Sequence, residues 1–139
     1  MGLYFEEFDE TAEYVSRSRT VTEADVVNFA GVSGDYNPLH TDEVFATKVA
    51  GYPTVFVHGM LTMGMTGSLI TDTVGDGRLT KFGGRFTSQV WPGDTLKATA
   101  TVEAIREEGG ETLVDLTVTT VNQDGKEVFS GYATARADA

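Results

Sequence analysis

The run Gly59-Met60-Leu61-Thr62-Met63-Gly64-Met65-Thr66-Gly67-Ser68-Leu69-Ile70-Thr71-Asp72-Thr73-Val74 constrains the fold more than any other segment. Its apolar residues Met60, Leu61, Met63, Met65, Leu69, Ile70 and Val74 fall around much of the circumference of a helix. A helix that is apolar on most sides must be buried on most sides. Gly64 and Gly67 each cost about 1 kcal/mol of helix propensity relative to Ala, so they point to close packing against something flat. The rest of the chain supplies a sheet. Strands are predicted over 78–90, 95–106, 112–121 and 126–136, punctuated by Pro92-Gly93-Asp94, Glu108-Gly109-Gly110 and Asn122-Gln123-Asp124-Gly125. Leu96, Ala98, Ala100, Val102 and Ala104 alternate with polar or small residues, as do Val114, Leu116 and Val118. That alternation marks half-buried antiparallel strands. A first strand is predicted over 13–21. The order is that of an α+β fold: a long central apolar helix wrapped by a curved antiparallel sheet of about five strands.

At 139 residues the simplest organisation is one domain over residues 1–139, large enough to bury a core without staples. There is no cysteine, which excludes disulfides, thiolate catalysis and thiolate metal ligands. Ten basic residues stand against 21 acidic ones, a net charge of −11. That balance argues against nucleic acid and against an anionic membrane surface. A phosphorylated ligand needs only a few local cations; Lys48, Lys81 and Arg85 are candidates, and each also reads as solvated surface charge. The longest apolar stretch, 60–70, is broken by Gly and Thr and is too short to span a bilayer. No basic segment followed by an apolar one opens the chain, which argues against a signal peptide. A cytoplasmic location is the expectation.

Thr22-Glu23-Ala24-Asp25 has the form of a capping box, and Val26, Val27, Phe29 and Ala30 follow at helical spacing. This helix should stop near 31–34. Asp35-Tyr36-Asn37-Pro38 is loop chemistry, with Pro38 biasing Asn37 away from helical geometry. Thr41-Asp42 is placed to cap a short helix through Ala46, and Gly51-Tyr52-Pro53 marks another loop. Within this region His40, one of two histidines, follows Asp35 across the Pro-stiffened bend. Imidazole is the usual base near neutrality, with an unperturbed pKa of about 6.5. A nearby carboxylate can hold a water or orient that ring. Taken singly, these residues also make an ordinary good loop.

His58-Gly59 is the second cue. Gly at the first position of a buried helix leaves its N–H free, admits a ligand close to the backbone and sits at the positive end of the helix dipole. Such a group can hold a developing oxyanion; a glycine required only by a tight turn is the alternative. His58 reads as structural or pocket-lining rather than catalytic. Two histidines without cysteine match no known metal-ligand spacing, and no G-x-G-x-x-G or Walker pattern occurs. Neither a metal nor another cofactor is therefore expected.

Phe29, Ser33-Gly34-Asp35, Asn37-Pro38-Leu39-His40 and Ala46 together resemble the signature of the MaoC-like (R)-specific enoyl thioester hydratases, the hydratase-2 group of the hot-dog fold. The resemblance continues at His58-Gly59-Met60-Leu61 and, more loosely, at Arg85-Phe86 and Pro92-Gly93-Asp94. The run 58–64 is also similar to catalytic β-subunits of (R)-3-hydroxyacyl-acyl carrier protein dehydratases. The family pattern implies a helix wrapped by a five-stranded sheet, edge-to-edge dimerisation and a pocket at the dimer interface. It implies that Asp35 and His40 activate one water, and that the Gly59 N–H binds the thioester carbonyl. Asn37, Pro38, His58 and Met60, with Lys48, Lys81 and Arg85, are then substrate-binding candidates, and the methionines would either fill the core or line an acyl channel. The substrate would be a thioester of coenzyme A or of acyl carrier protein; the acidic chain favours the former. A homodimer is the default assembly, with a heterodimer of related subunits as the alternative. Two other functions remain in view: an acyl thioesterase on the same fold, and a non-catalytic partner subunit.

Overall fold

The computed structural model describes residues 11–137. Thr22 starts α1 (Glu23–Ser33) with a reciprocal capping box, its hydroxyl accepting from the Asp25 N–H while the Asp25 carboxylate accepts from the Thr22 N–H. Those bonds, with the Arg19 guanidinium nearby, hold the Asp25 carboxyl below its ordinary pKa. The helix stops at Gly34, whose φ of 77° suits glycine and whose N–H closes on the Ala30 carbonyl. Its buried face is only Val26 and Ala30; Val27 is exposed.

The next helix starts earlier than the sequence predicts. Asn37 is extended (φ −49°, ψ 130°), as Pro38 requires, and its side-chain oxygen accepts from the Leu39 N–H at 2.9 Å. With Asn37 as cap and Pro38 in the first turn, α2 (Pro38–Thr41) forms before Thr41-Asp42 is reached. Asp42 then accepts from the Phe45 N–H and leads into a π-helical turn, Phe45–Val49, which buries Ala46.

The strands are β1 (Glu13–Val15), β2 (Arg19–Thr20), β3 (Leu79–Phe86), β4 (Thr95–Glu108), β5 (Glu111–Val121) and β6 (Glu127–Arg136). They form an antiparallel sheet in the order β1-β4-β5-β6-β3, with β2 pairing the start of β4. The strand predicted over 13–21 is thus two short pieces. Between them the Ser16 hydroxyl accepts from the Ala98 N–H at 2.9 Å, replacing a ladder bond with a side-chain one. β3 ends at Phe86 instead of 90, because the Val90 carbonyl is taken by the Val57 N–H at 2.8 Å.

α3 (Gly59–Val74) covers the predicted range and contacts β3, β4, β5 and β6. Leu69, Ile70 and Val74 pack against Ala98, Ala100, Val102, Val114, Leu116, Val118 and Phe129. The helix is not buried all round. Met60, Gly64, Ser68 and Asp72 form an exposed line at four-residue spacing. Of Gly64 and Gly67, the latter approaches the sheet, where a Cβ would lie 3.2 Å from the Phe82 ring; Gly64 faces open space. The deepest positions near the N-terminal half of α3 are Thr62 and Thr66 rather than methionines. Thr66 donates to the Thr62 carbonyl or shares its hydrogen with the Thr120 hydroxyl, so a polar pair is accommodated inside the core. No helix among the described residues is long and apolar enough to cross a membrane.

Candidate active site

The loop after α1 is built by its own side chains. The Ser33 hydroxyl donates to the Phe29 carbonyl and accepts from the Asp35 N–H, and the Asp35 carboxylate accepts from the Asn37 N–H at 3.2 Å. These bonds wind the chain so that exposed Asp35 and half-buried His40 stand on one bend. One carboxylate oxygen of Asp35 is used in this way, and the other makes no hydrogen bond among the described residues.

His40 is oriented by a single strong contact. Its Nδ1 lies 2.6 Å from the carbonyl oxygen of Phe56. A carbonyl oxygen only accepts, so Nδ1 carries the hydrogen and Nε2 of the neutral ring carries the lone pair. That is the nitrogen a general base needs. The ring is held by the edge of Phe56, centroids 5.0 Å apart, and Phe56 in turn packs on Tyr52 and Trp91. A bond from the Phe56 N–H to the Leu39 carbonyl ties the same two segments together.

His58 lies beneath this pair and is 1% exposed. Its Nε2 is 2.9 Å from the carbonyl oxygen of Asp35, and its ring stacks on His40 with centroids 4.0 Å apart and planes 24° apart. Asp35, His40 and His58 each bring one oxygen or nitrogen within 4.8 Å of the other two. Two hydrogen bonds of about 2.8 Å to one water span such a separation.

Gly59 follows directly. α3 begins without a side-chain cap, and the Gly59 N–H has no partner among the described residues. A Cβ at this position would sit 2.8 Å from Cε2 of Phe86, so a side chain here would have to displace that ring. Gly59 opens on a cavity of about 300 Å³ that includes Phe56, Thr62, Phe86, Gln89 and Val128. His40 lines a different one, of about 530 Å³, with Val26, Ala30, Tyr36 and Val55. A further cavity, of about 630 Å³, lies along Met65, Thr66, Leu69, Leu96 and Thr120 and is lined by none of Asp35, His40 or Gly59.

Of the other sequence candidates, Asn37 and Pro38 act in the start of α2, and Met60 is 58% exposed on the first turn of α3. Lys48 is exposed at the end of the π-helical turn. Lys81 and Arg85 are exposed on the edge strand β3, with the Lys81 ammonium 5.2 Å from the ring centre of Tyr132. No hydrogen bond, ion pair or ring contact joins these three cations to Asp35, His40 or Gly59 among the described residues. Sequence reading missed Thr62. Its hydroxyl is buried, has no hydrogen-bond partner and lines the Gly59 cavity. A threonine four residues after His58 on a buried helix was the available signal.

Residues 7–124 match the family model described as MaoC like domain. The chain belongs to that family. Among MaoC-like relatives, the (R)-specific enoyl-CoA hydratase of Rhodospirillum rubrum is 33% identical over 138 residues, covering 98% of this chain and 92% of that protein. The 3-hydroxyacyl-thioester dehydratase Y of Mycobacterium tuberculosis is 44% identical over 68 residues, covering 47% of this chain. This MaoC-like chain spans 23% of the length of that dehydratase. Among solved structures, the unliganded R-hydratase PhaJ1 from Pseudomonas aeruginosa superposes with a TM-score of 0.86 at 29% identity, over 98% of this chain and 86% of that one. The α+β fold read from the sequence, one helix on an antiparallel sheet, is therefore the fold of its MaoC-like relatives.

Proposed function

We propose that this protein catalyses the (R)-specific hydration of trans-2-enoyl thioesters to (R)-3-hydroxyacyl thioesters, or the reverse dehydration. The observation that carries this reading is the orientation of His40: its Nδ1–H is committed to Phe56, which leaves Nε2 as the free base of a ring that brings one nitrogen within 4.8 Å of the Asp35 carboxylate. In the forward direction His40 Nε2 takes a proton from a water that Asp35 also holds, and the water oxygen bonds to C3. The electron pair of the C2–C3 double bond moves towards the carbonyl, and the resulting enolate oxygen is met by the Gly59 N–H at the start of α3. C2 is then protonated on the same face, so that one water is added in all. Charge forms where a preorganised donor and a helix dipole lie, and a positioned base adds on the order of 10²–10⁴-fold. The named relatives, a hydratase and a dehydratase, support the same class of reaction.

The working unit is proposed to be a dimer joined through β3. This strand is a sheet edge, and Phe86 on it and Tyr132 beside it are half exposed. A second copy would cover both.

The test is hydration of crotonyl-CoA, followed as loss of the enoyl-thioester absorbance, with the product resolved by chirality. The reading requires the (R)-3-hydroxy product and no free thiol. Thiol release from a saturated acyl-CoA would replace it with a thioesterase, and an (S) product would refute the geometry.

A further inference from the structure

We propose that His58 is a positioning residue, an imidazole that sets the plane of the His40 ring and the backbone of Asp35 from below; this rests on the hydratase reading above. Its hydrogen bonding follows from its surroundings. Nε2 lies 2.9 Å from the Asp35 carbonyl oxygen, which can only accept, so Nε2 carries the hydrogen. Nδ1 is buried and has no hydrogen-bond partner. The ring therefore donates through Nε2 and leaves Nδ1 without a partner.

Its contacts then make it the shared support of the site. One face lies against His40 at 4.0 Å and 24°. Phe29, from the last turns of α1, tilts against the same ring at 4.9 Å and 59°. The backbone of His58 is the cap position of α3, directly before Gly59. One side chain thus ties the Asp35 loop, the plane of the base and the helix end that presents the Gly59 N–H. Phe56 fixes His40 along one in-plane direction through Nδ1; a stacked neighbour is needed to stop rotation about that bond. Misplacing a reacting group by about 1 Å can cost on the order of 10²-fold in rate, so this support should appear in turnover rather than in binding.

Two substitutions separate the two contacts. His58→Gln retains an N–H at the reach of Nε2 and loses the stacked ring, whereas His58→Phe retains a ring and loses the donor to Asp35. Each is expected to lower kcat by on the order of 10- to 100-fold with KM within about twofold of the parent. Each variant also leaves His40 as the only histidine, since the chain has two. Its ring ¹⁵N chemical shifts then report the tautomer without any assay. In both variants the protonated and unprotonated nitrogens should stay well separated, because the Phe56 carbonyl sets the tautomer, so a lost rate is assigned to the orientation of the ring. Parental kcat in both folded variants, or losses confined to KM, would overturn the positioning role. An inactive parent protein with the expected nitrogen shifts would instead count against the hydratase reading and leave the positioning geometry standing.

Discussion

His40 donates its Nδ1 hydrogen to the carbonyl oxygen of Phe56, 2.6 Å away, and thereby presents Nε2 as a base. The two roles can be separated by substitution. His40→Asn supplies an amide N–H near the Nδ1 position and has no base. It should fold with a melting temperature close to the parent's and lose on the order of 10²–10⁴-fold in kcat. Thermal unfolding and steady-state hydration of crotonyl-CoA check both halves. An active His40→Asn protein would remove His40 from the mechanism.

Gly59 and Phe86 should be energetically coupled. A methyl at 59 would meet the Phe86 ring at 2.8 Å, and such overpacking costs about 1–3 kcal/mol. Gly59→Ala should therefore lower the melting temperature by more in the parent than in a Phe86→Ala background. Urea titrations of the four proteins give the coupling energy. Simple additivity would mean that the ring moves aside freely.

Two buried threonines of the core, Thr62 and Thr66, should respond in opposite ways. Thr62 has an unpaired buried hydroxyl, so isosteric Thr62→Val should leave stability unchanged or raise it, because no hydrogen bond is lost. Thr66→Val removes the hydroxyl that meets Thr120 and should cost about 1 kcal/mol or more. Denaturation midpoints of the two variants order them directly.

Acid sensitivity should pass in part through Asp115. Hydrogen bonds from the Arg106 guanidinium, then from Thr134, hold its carboxyl below the ordinary carboxylate pKa. A depressed folded pKa contributes stability that is present above the unfolded value, about 3.9, and is lost as pH falls through the folded one. Asp115→Asn should melt below the parent at pH 7, and the gap should narrow as pH is lowered from 6 to 3. A gap independent of pH would assign the loss to packing.

Much of this was legible in the residues. The periodicity of 59–74 and the alternation through Leu96–Val102 and Val114–Val118 arise from local spacing, and the corresponding α3, β4 and β5 follow it. Gly-Asp-x-Asn-Pro and His58-Gly59 mark the loop and the helix start for the same reason: caps and turns are local chemistry. What escaped depends on partners distant in sequence. The break between β1 and β2 needs Ser16 to meet Ala98, and the end of β3 needs Val57 to reach Val90. The stack of His58 under His40 needs both loops folded before the rings can meet. Thr62 reads as a tolerated helix residue until its burial is known.

The central claim is that Asp35 and His40 act on one water, and a double-mutant cycle on crotonyl-CoA hydration tests it most directly. Asp35→Asn and His40→Gln should each reduce kcat/KM by on the order of 10²–10⁴-fold. The double variant should be no worse than the poorer single one, because groups that act as a unit are strongly non-additive. Losses that multiply in the double variant, or folded single variants that lose less than about tenfold, would contradict the account.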